Sequence, residues 1–177
     1  YKSDIIEDYF RDGSEFGVSI EYVREKDRQG TAGSLSLIEE KLEHPIIVMN
    51  GDLLTNIDFS CFLDYYQSNE IDALMCVREY DFQVPFGVVQ TDGKLITSID
   101  EKPVQKFLVN AGVYLLSPEC INQVPKEVVI DMPTLFDNLL RKKLNVSAFP
   151  LSEYWLDIGR IDDLEKAQVV VKDIFKK

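Results

Sequence analysis

Two aspartates follow short apolar runs, in positions where they could bind a metal ion. Asp52 comes after the run 45–49 and an Asn-Gly pair, and Asp157 lies in the segment WLDIG at 155–159. Because ligands bind at the carboxyl edge of open α/β sheets, the two carboxylates could meet there. Mg²⁺ takes one or two such carboxylates and completes its shell with water and phosphate. Taken alone, Asp52 fits a turn equally well and Asp157 fits one better, so the pair is more informative than either member.

A run of small residues, Gly30-Thr31-Ala32-Gly33, stands where a helix is predicted to begin. Free N–H groups and the positive end of the helix dipole favour an anionic or polar ligand there, and glycine permits its close approach. Gly-rich helix starts are also common in proteins without a ligand at that position. The run is therefore a candidate binding loop.

Three further positions could contact a phosphorylated sugar. Lys102 precedes Pro103, which should hold the lysine backbone extended and present its charge to a phosphate, although most such lysines are solvated. Asn110 could bind a sugar hydroxyl, but an asparagine in a β-bulge explains it better. Gly87 could line a pocket or only mark a strand edge.

The elements around these residues are predicted to alternate between strands and helices, as in a sheet with crossover helices. Apolar runs predict strands at 18–23, 45–49, 71–77, 107–116 and 146–149. The wholly apolar run 45–49 is typical of a central parallel strand covered on both faces. Helices are predicted at 31–42, after the N-cap Asp58, near Pro133, and from a capping box of Asp162 with Glu165. The sequence TDGK at 91–94 predicts a hairpin between 86–90 and 95–99, so the sheet should be mixed.

Length, composition and charge narrow the class of protein. The 177 residues, 45% apolar and 28% charged, suit one globular α/β domain. A net charge of −12 repels nucleic-acid backbones, so we expect no DNA or RNA partner, and any phosphate must be held locally. No apolar stretch approaches the roughly 20 residues of a membrane helix. We therefore expect a cytoplasmic domain with no membrane partner.

The cysteines and the single histidine offer little chemistry. Cys61, Cys76 and Cys120 are widely spaced in apolar surroundings, which argues against a disulfide framework or a zinc site and favours reduced core residues. His44 precedes an apolar run and is expected at the surface, at the entrance of a strand. A histidine-dependent mechanism would have only this candidate.

Six segments, taken in chain order, resemble the sugar-1-phosphate nucleotidyltransferase family. They are GTAGSL at 30–35, NGD at 50–52, PFGVV at 85–89, EKP at 101–103, NAGVY at 110–114 and WLDIG at 155–159. The likeness is closest to mannose-1-phosphate guanylyltransferase-like and glucose-1-phosphate thymidylyl- or uridylyltransferase-like members. It implies a Rossmann-like mixed sheet with flanking helices, of the nucleotide-diphospho-sugar transferase type.

The resemblance also implies a role for each candidate residue. Asp52 and Asp157 match metal-binding aspartates and, with Lys102, the catalytic positions. The nucleotide-contacting positions are Gly30, Thr31, Ala32, Gly33 and Asp52. The sugar-pocket positions are Gly87, Glu101, Lys102 and Asn110.

The reaction implied by the resemblance joins a nucleoside triphosphate to a sugar 1-phosphate. A sugar phosphate oxygen attacks the α-phosphorus in line and releases pyrophosphate, with Mg²⁺ neutralising the phosphate charge. An ionised phosphate needs no general base, which agrees with a chain that has one histidine. Guanylyl transfer to a mannose-like sugar phosphate is the first choice, with thymine or uracil as the next bases.

Some family features are not found, and other functions stay open. The family's Gly-rich triphosphate loop has no counterpart in residues 1–29, so the resemblance implies one nucleotidyltransferase domain over 1–177, N-terminally truncated and inactive by itself. A regulatory relative that binds a nucleotide sugar without catalysis is the alternative, although both metal aspartates favour an enzyme. A glycosyltransferase would carry Asp-x-Asp after a strand, whereas residues 50–54 are NGDLL. Assembly into a homo-oligomer is left open.

Overall fold

The structure, a computed structural model, describes residues 2–175. Its largest sheet contains β1 (Ile46–Met49), β3 (Ala73–Gln83), β6 (Val104–Leu116) and β7 (Val146–Pro150), in the order β1-β6-β3-β7. β6 runs antiparallel to both β1 and β3, while β3 and β7 are parallel. Two smaller pairs are β2 (Leu53–Thr55) with β8 (Trp155–Asp157), and β4 (Gly87–Asp92) with β5 (Leu95–Glu101). The mixed sheet and the hairpin are confirmed.

Six α-helices accompany these strands in the described residues: α1 (Ser3–Phe10), α2 (Gly30–Gly33), α3 (Phe59–Gln67), α4 (Pro118–Ile121), α5 (Met132–Arg141) and α6 (Ile161–Ile174). The predicted cap of α3 is confirmed, because the Asp58 carboxylate accepts from the backbone N–H groups of Ser60 and Cys61. The predicted capping box of α6 is wrong, since Arg160 is the N-cap and makes no side-chain capping bond. Within residues 2–175 no helix has the length and hydrophobicity of a membrane span.

Both faces of the main sheet are covered, and the central strand β6 shows this most clearly. Tyr114 and Leu116 join one buried cluster with residues of α4 and α5, whereas Val113 and Leu115 join a second cluster with Phe62 of α3. Successive strand residues point to opposite faces, so helices must lie on both sides. This arrangement confirms the α/β class with flanking helices.

Strand β1 differs from the prediction of a central parallel strand. It pairs antiparallel with β6 only, and no other described strand lies along its second edge. Ile47 and Met49 are each 39% exposed, while Ile46 and Val48 pack against the core. A wholly apolar run indicates burial but not strand direction or position in the sheet, and for that reason the prediction was wrong.

Two predicted elements near the N-terminus are also wrong. Residues 18–23 form no strand; side-chain bonds hold this region instead, from Tyr22 to the carbonyl of Arg11 and from Arg24 to Glu7. The predicted helix 31–42 breaks into α2, a 3₁₀ turn over Ser34–Leu37 and an irregular segment. Serine competes with helical hydrogen bonding, and Ser36 Oγ donates to the Gly33 carbonyl at 2.7 Å.

The hairpin β4–β5 continues the pair β3–β6 as one long two-stranded ribbon. Gln83 is opposite Val104, the Val84 N–H donates to the Pro103 carbonyl at 3.0 Å, and Gly87 is opposite Glu101. No residue from 79 to 108 is buried. The ribbon therefore projects from the sheet without a core of its own.

The predicted locations of the histidine and of two of the three cysteines are confirmed, and that of the third cysteine is wrong. All three cysteines are free, and Cys76 and Cys120 are buried, as expected. Cys61 is exposed on α3, so its predicted place in the core is wrong. His44 is exposed directly before β1, which confirms the prediction of a surface position.

Candidate active site

The two candidate metal aspartates lie on adjoining backbone segments. Asp157 ends β8 opposite Leu53 of β2, and the next N–H, of Ile158, donates to the carbonyl of Asp52 at 2.8 Å. The β2–β8 pair therefore brings together the backbones of two aspartates that are distant in the sequence. Both side chains are exposed, and neither forms an ion pair in the described part of the chain.

Trp155 fixes the strand that carries Asp157. Its indole Nε1–H donates to the Ala111 carbonyl of β6 at 2.8 Å, and the Arg78 guanidinium lies 5.8 Å from the indole ring centroid. Arg78 also donates to the Glu153 carbonyl at 3.1 Å. Trp155 thus anchors β8 to β6, and Arg78 of β3 holds the segment that leads into β8, which limits the movement of Asp157.

The segment NAGVY is joined to the segment NGD through a bulge in β6. The pairing of β3 and β6 shifts between Met75 and Val77, and Gly112 sits in the irregular stretch with φ of 72°. Its carbonyl accepts from the Asn50 N–H at 2.9 Å. A residue with a Cβ would be strained at this positive φ, and its Cβ would also lie 2.8 Å from Asn50 Nδ2, so the position favours glycine.

Both polar atoms of the Asn110 side chain have partners within this bulge. Its Oδ1 accepts from the Gly112 N–H at 2.9 Å, and its Nδ2 donates to the Tyr114 hydroxyl at 2.7 Å. The β-bulge explanation that the sequence left open therefore fits the structure, and a sugar contact by Asn110 stays a prediction.

The loop Gly30–Gly33 forms α2, and two of its N–H groups, those of Thr31 and Ala32, have partners in another part of the chain. The Thr31 N–H donates to the Asp131 carboxylate at 2.9 Å, and the Ala32 N–H donates to the Ile130 carbonyl at 3.0 Å. The expectation of free N–H groups is therefore wrong for Thr31 and Ala32, because Ile130 and Asp131, directly before α5, accept from them. Nucleotide contact by the loop stays a prediction that rests on family resemblance.

Gly87, Glu101 and Lys102 meet at the bend of the ribbon. Gly87 is opposite Glu101, and a Cβ at position 87 would lie 3.0 Å from Glu101 Oε2, so the glycine leaves room for the carboxylate. Lys102 has φ of 47°, in the left-handed region, so the predicted extended backbone is wrong. The chain turns between β5 and β6 at this residue, which overrides the preference that the following proline imposes.

The candidate residues thus form three local groups. The aspartate pair adjoins Asn110 through Asn50 and Gly112, while the loop 30–33 packs with α5. The bend of the ribbon is separated from Asn110 by β6 residues 104–110, about 20 Å of strand. A cavity of about 680 Å³ lies between α1 and segment 22–28; Ser34, directly after the loop 30–33, lines it, but none of the predicted site residues does. Sequence reasoning missed Asp131, which carries no motif signal.

The two aspartates carry carboxylate oxygens, which are suitable ligands for a magnesium ion. Two exposed carboxylates on adjoining backbone segments, without an ion-pair partner in the described residues, supply the one or two protein ligands that Mg²⁺ uses. In residues 2–175, no group of three or more His, Cys, Asp or Glu side chains is arranged to hold a metal. An ion bound here would therefore complete its coordination with water and substrate oxygens.

The mixed sheet with helices on both faces forms an α/β domain, and comparison with a solved structure identifies its fold as that of the nucleotide-diphospho-sugar transferases. The crystal structure of HddC from Yersinia pseudotuberculosis superimposes with a TM-score of 0.68 and 27% identity, over 97% of this chain and 76% of that chain. The nucleotidyl transferase family model matches residues 1–173. The chain belongs to the nucleotidyl transferase family.

Two relatives show how broad the likeness is. Mannose-1-phosphate guanylyltransferase of Mycobacterium tuberculosis is 31% identical over 172 residues, which cover 92% of this chain and 47% of that protein. UTP–glucose-1-phosphate uridylyltransferase of Synechocystis sp. is 30% identical over 182 residues, with coverage of 92% and 47%. The chain therefore spans about half the length of these relatives.

Proposed function

We propose that the protein transfers a nucleoside monophosphate from a nucleoside triphosphate to a sugar 1-phosphate, giving a nucleotide sugar and pyrophosphate. The observation that carries the proposal is the placement of Asp52 and Asp157 on adjoining backbone segments, joined by the Ile158 to Asp52 backbone bond of 2.8 Å. Family membership supports the same reaction class.

The chemistry requires positioning more than proton transfer. An oxygen of the sugar phosphate forms a bond to the α-phosphorus, while the bond from that phosphorus to the bridging oxygen breaks and pyrophosphate leaves. Asp52 and Asp157 would hold Mg²⁺, which when bound neutralises charge on the phosphates. Lys102 would supply a positive charge to the sugar phosphate. Loop 30–33 would contact the nucleotide, and Gly87, Glu101 and Asn110 the sugar.

Guanylyl transfer to a mannose-like sugar phosphate is our choice of substrates. It is supported by the 31% identity to mannose-1-phosphate guanylyltransferase of Mycobacterium tuberculosis. The nearly equal identity to the uridylyltransferase of Synechocystis sp. makes UTP the first competitor to test. Use of Mg²⁺, cytoplasmic location and homo-oligomer formation belong to the same proposal, and sedimentation velocity tests the last of these.

The test measures pyrophosphate release by the whole protein with Mg²⁺, using GTP, UTP or dTTP against mannose 1-phosphate or glucose 1-phosphate. We expect GTP with mannose 1-phosphate to give the highest kcat/KM. Asp52→Asn and Asp157→Asn should each lower kcat/KM at least about 100-fold, equal to about 2.7 kcal/mol of lost transition-state stabilisation. Asp64→Asn, on the exposed surface of α3, is the matched control and should retain full activity.

The outcomes separate the candidate functions. Full activity in both aspartate variants would contradict the proposed metal site. A nucleotide sugar that raises the melting temperature of the wild type, without any pyrophosphate release, would favour a non-catalytic binding protein instead.

A further inference from the structure

Two helix starts from distant parts of the chain meet and complete each other's hydrogen bonding. The Asp131 carboxylate, at the N-cap position of α5, makes no capping bond to its own helix. Its Oδ1 instead accepts from the Thr31 N–H at 2.9 Å and lies 3.4 Å from Thr31 Oγ. Thr31 Oγ in turn accepts from the Met132 N–H, in the first turn of α5, at 2.8 Å.

Backbone hydrogen bonds next to these side-chain contacts hold the two segments close together. The Ala32 N–H donates to the Ile130 carbonyl at 3.0 Å, and the Ile130 N–H donates to the Gln29 carbonyl at 2.8 Å. Gly30 has φ of 80°, and a Cβ there would lie 2.5 Å from the Ile130 oxygen and 2.8 Å from Asp131 Oδ1. The segments 29–32 and 130–132 therefore hold one mutual arrangement, and the loop cannot shift without breaking bonds to α5.

We propose that Asp131 is a positioning residue for the loop 30–33, acting on nucleotide affinity through the conformation of Thr31. The proposal rests on the proposed nucleotide-binding role of that loop. α2 has only four residues and cannot hold its own conformation, since isolated helices much longer than this are marginal in water. The carboxylate acts through the loop backbone and contacts no substrate.

The kinetic consequence is specific to one substrate. If the loop populates its binding conformation only in part, the apparent nucleotide affinity falls by that fraction. Loss of one capping carboxylate should raise the KM for the nucleoside triphosphate about fivefold to tenfold. The KM for the sugar phosphate should change less than about twofold, because the ribbon residues that would contact it are on other elements.

The experiment compares three variants of the whole protein. Asp131→Ala removes the acceptor and should show the selective rise in nucleotide KM, whereas Asp131→Asn keeps one oxygen acceptor and should recover most of the loss. Asp58→Ala is the matched control, because Asp58 also accepts two bonds at a helix start, from Ser60 and Cys61, but far from the loop. It should lower the melting temperature without changing either KM.

Hydrogen–deuterium exchange of the same variants tests the coupling without reference to turnover. Asp131→Ala should speed exchange at the amides of Thr31, Ala32 and Met132, and Asp58→Ala should not. Equal changes in both KM values, or unchanged exchange in the loop, would overturn the proposal. Failure of Asp131→Asn to recover nucleotide KM while exchange stays protected would indicate a direct ligand contact and overturn it as well.

The two proposals fail in distinguishable ways. Absence of both nucleotide binding and turnover in the wild type would refute the proposed function. The exchange measurements then decide by themselves whether Asp131 positions the loop.

Discussion

Cys76 shows how a single side chain depends on the packing around it. Its thiol is fully buried on β3, in the cluster that also contains Phe62 and Leu115. Burial disfavours the thiolate and, with a smaller contribution from the Glu153 charge, raises the pKa of Cys76 to about 12. The thiol is therefore a packing group and not a nucleophile.

This raised pKa predicts a pH dependence of stability. Because the folded state holds the proton more tightly than the unfolded chain, the contribution of Cys76 is complete below about pH 9 and is lost as pH rises toward 12. The free energy of unfolding should thus fall over that range, and Cys76→Val should make the fall shallower. Urea unfolding at pH 8, 9, 10 and 11 measures it. Cys61→Val, at the exposed cysteine, is the control and should leave the slope unchanged.

Residue-level prediction from the sequence succeeded where a motif carried the information. Asp52 and Asp157 were predicted to meet at an edge of the sheet, and the structure does place their backbones side by side, with Asp157 opposite Leu53 and the Ile158 N–H bonded to the Asp52 carbonyl. The left-handed backbone of Lys102 and the partners of Thr31 could not be predicted, because both depend on contacts with segments distant in sequence. Local preference alone does not decide such positions.

At the scale of elements, the junction of α2 with α5 depends on a glycine. Gly30→Ala should lower the free energy of unfolding for two reasons. The backbone at position 30 has a positive φ, which destabilises the folded state by about 1–2 kcal/mol when the residue carries a Cβ. The new Cβ would also meet the Ile130 oxygen at 2.5 Å, and such overpacking costs a further 1–3 kcal/mol, roughly.

Gly17 provides the matched control for the contact between α2 and α5. Its φ is 73°, close to that of Gly30, but a Cβ there would meet no atom within 4 Å. Gly17→Ala should therefore lower the free energy of unfolding only by the amount that the positive φ imposes, without the loss from overpacking. Urea denaturation of both variants measures the difference, and equal losses would mean that the close approach of Ile130 contributes nothing.

Other elements show which patterns determine structure locally. α3 begins where Asp58 predicts, because an N-cap and an apolar stripe act within one segment. The pattern of 18–23 fits a strand as well as the pattern of α3 fits a helix. No described strand pairs with residues 18–23, however. A strand needs a partner, and the identity of the partner is not written in the strand itself.

At the scale of the whole molecule, burial divides strands β3 and β6 into two unlike halves. Residues 111–116 of β6 and the facing part of β3 lie between two clusters of buried side chains. Beyond them, no residue from 79 to 108 is buried, and Phe86 and Leu95 are 72% and 74% exposed. The ion pair of Lys106 with Glu79 is exposed and contributes little to stability.

This division predicts a large difference in local stability within the same two strands. A two-stranded hairpin is marginally stable alone, so amides of β4 and β5 should exchange by local opening, whereas those of 111–116 should need global unfolding. We expect exchange in the hairpin to be faster by about three orders of magnitude or more. Hydrogen–deuterium exchange with peptide resolution measures both halves in one sample, so residues 73–77 of β3 serve as the internal control. Equal protection along the ribbon would contradict an uncovered hairpin, because its apolar side chains would then have to be packed against another surface in solution.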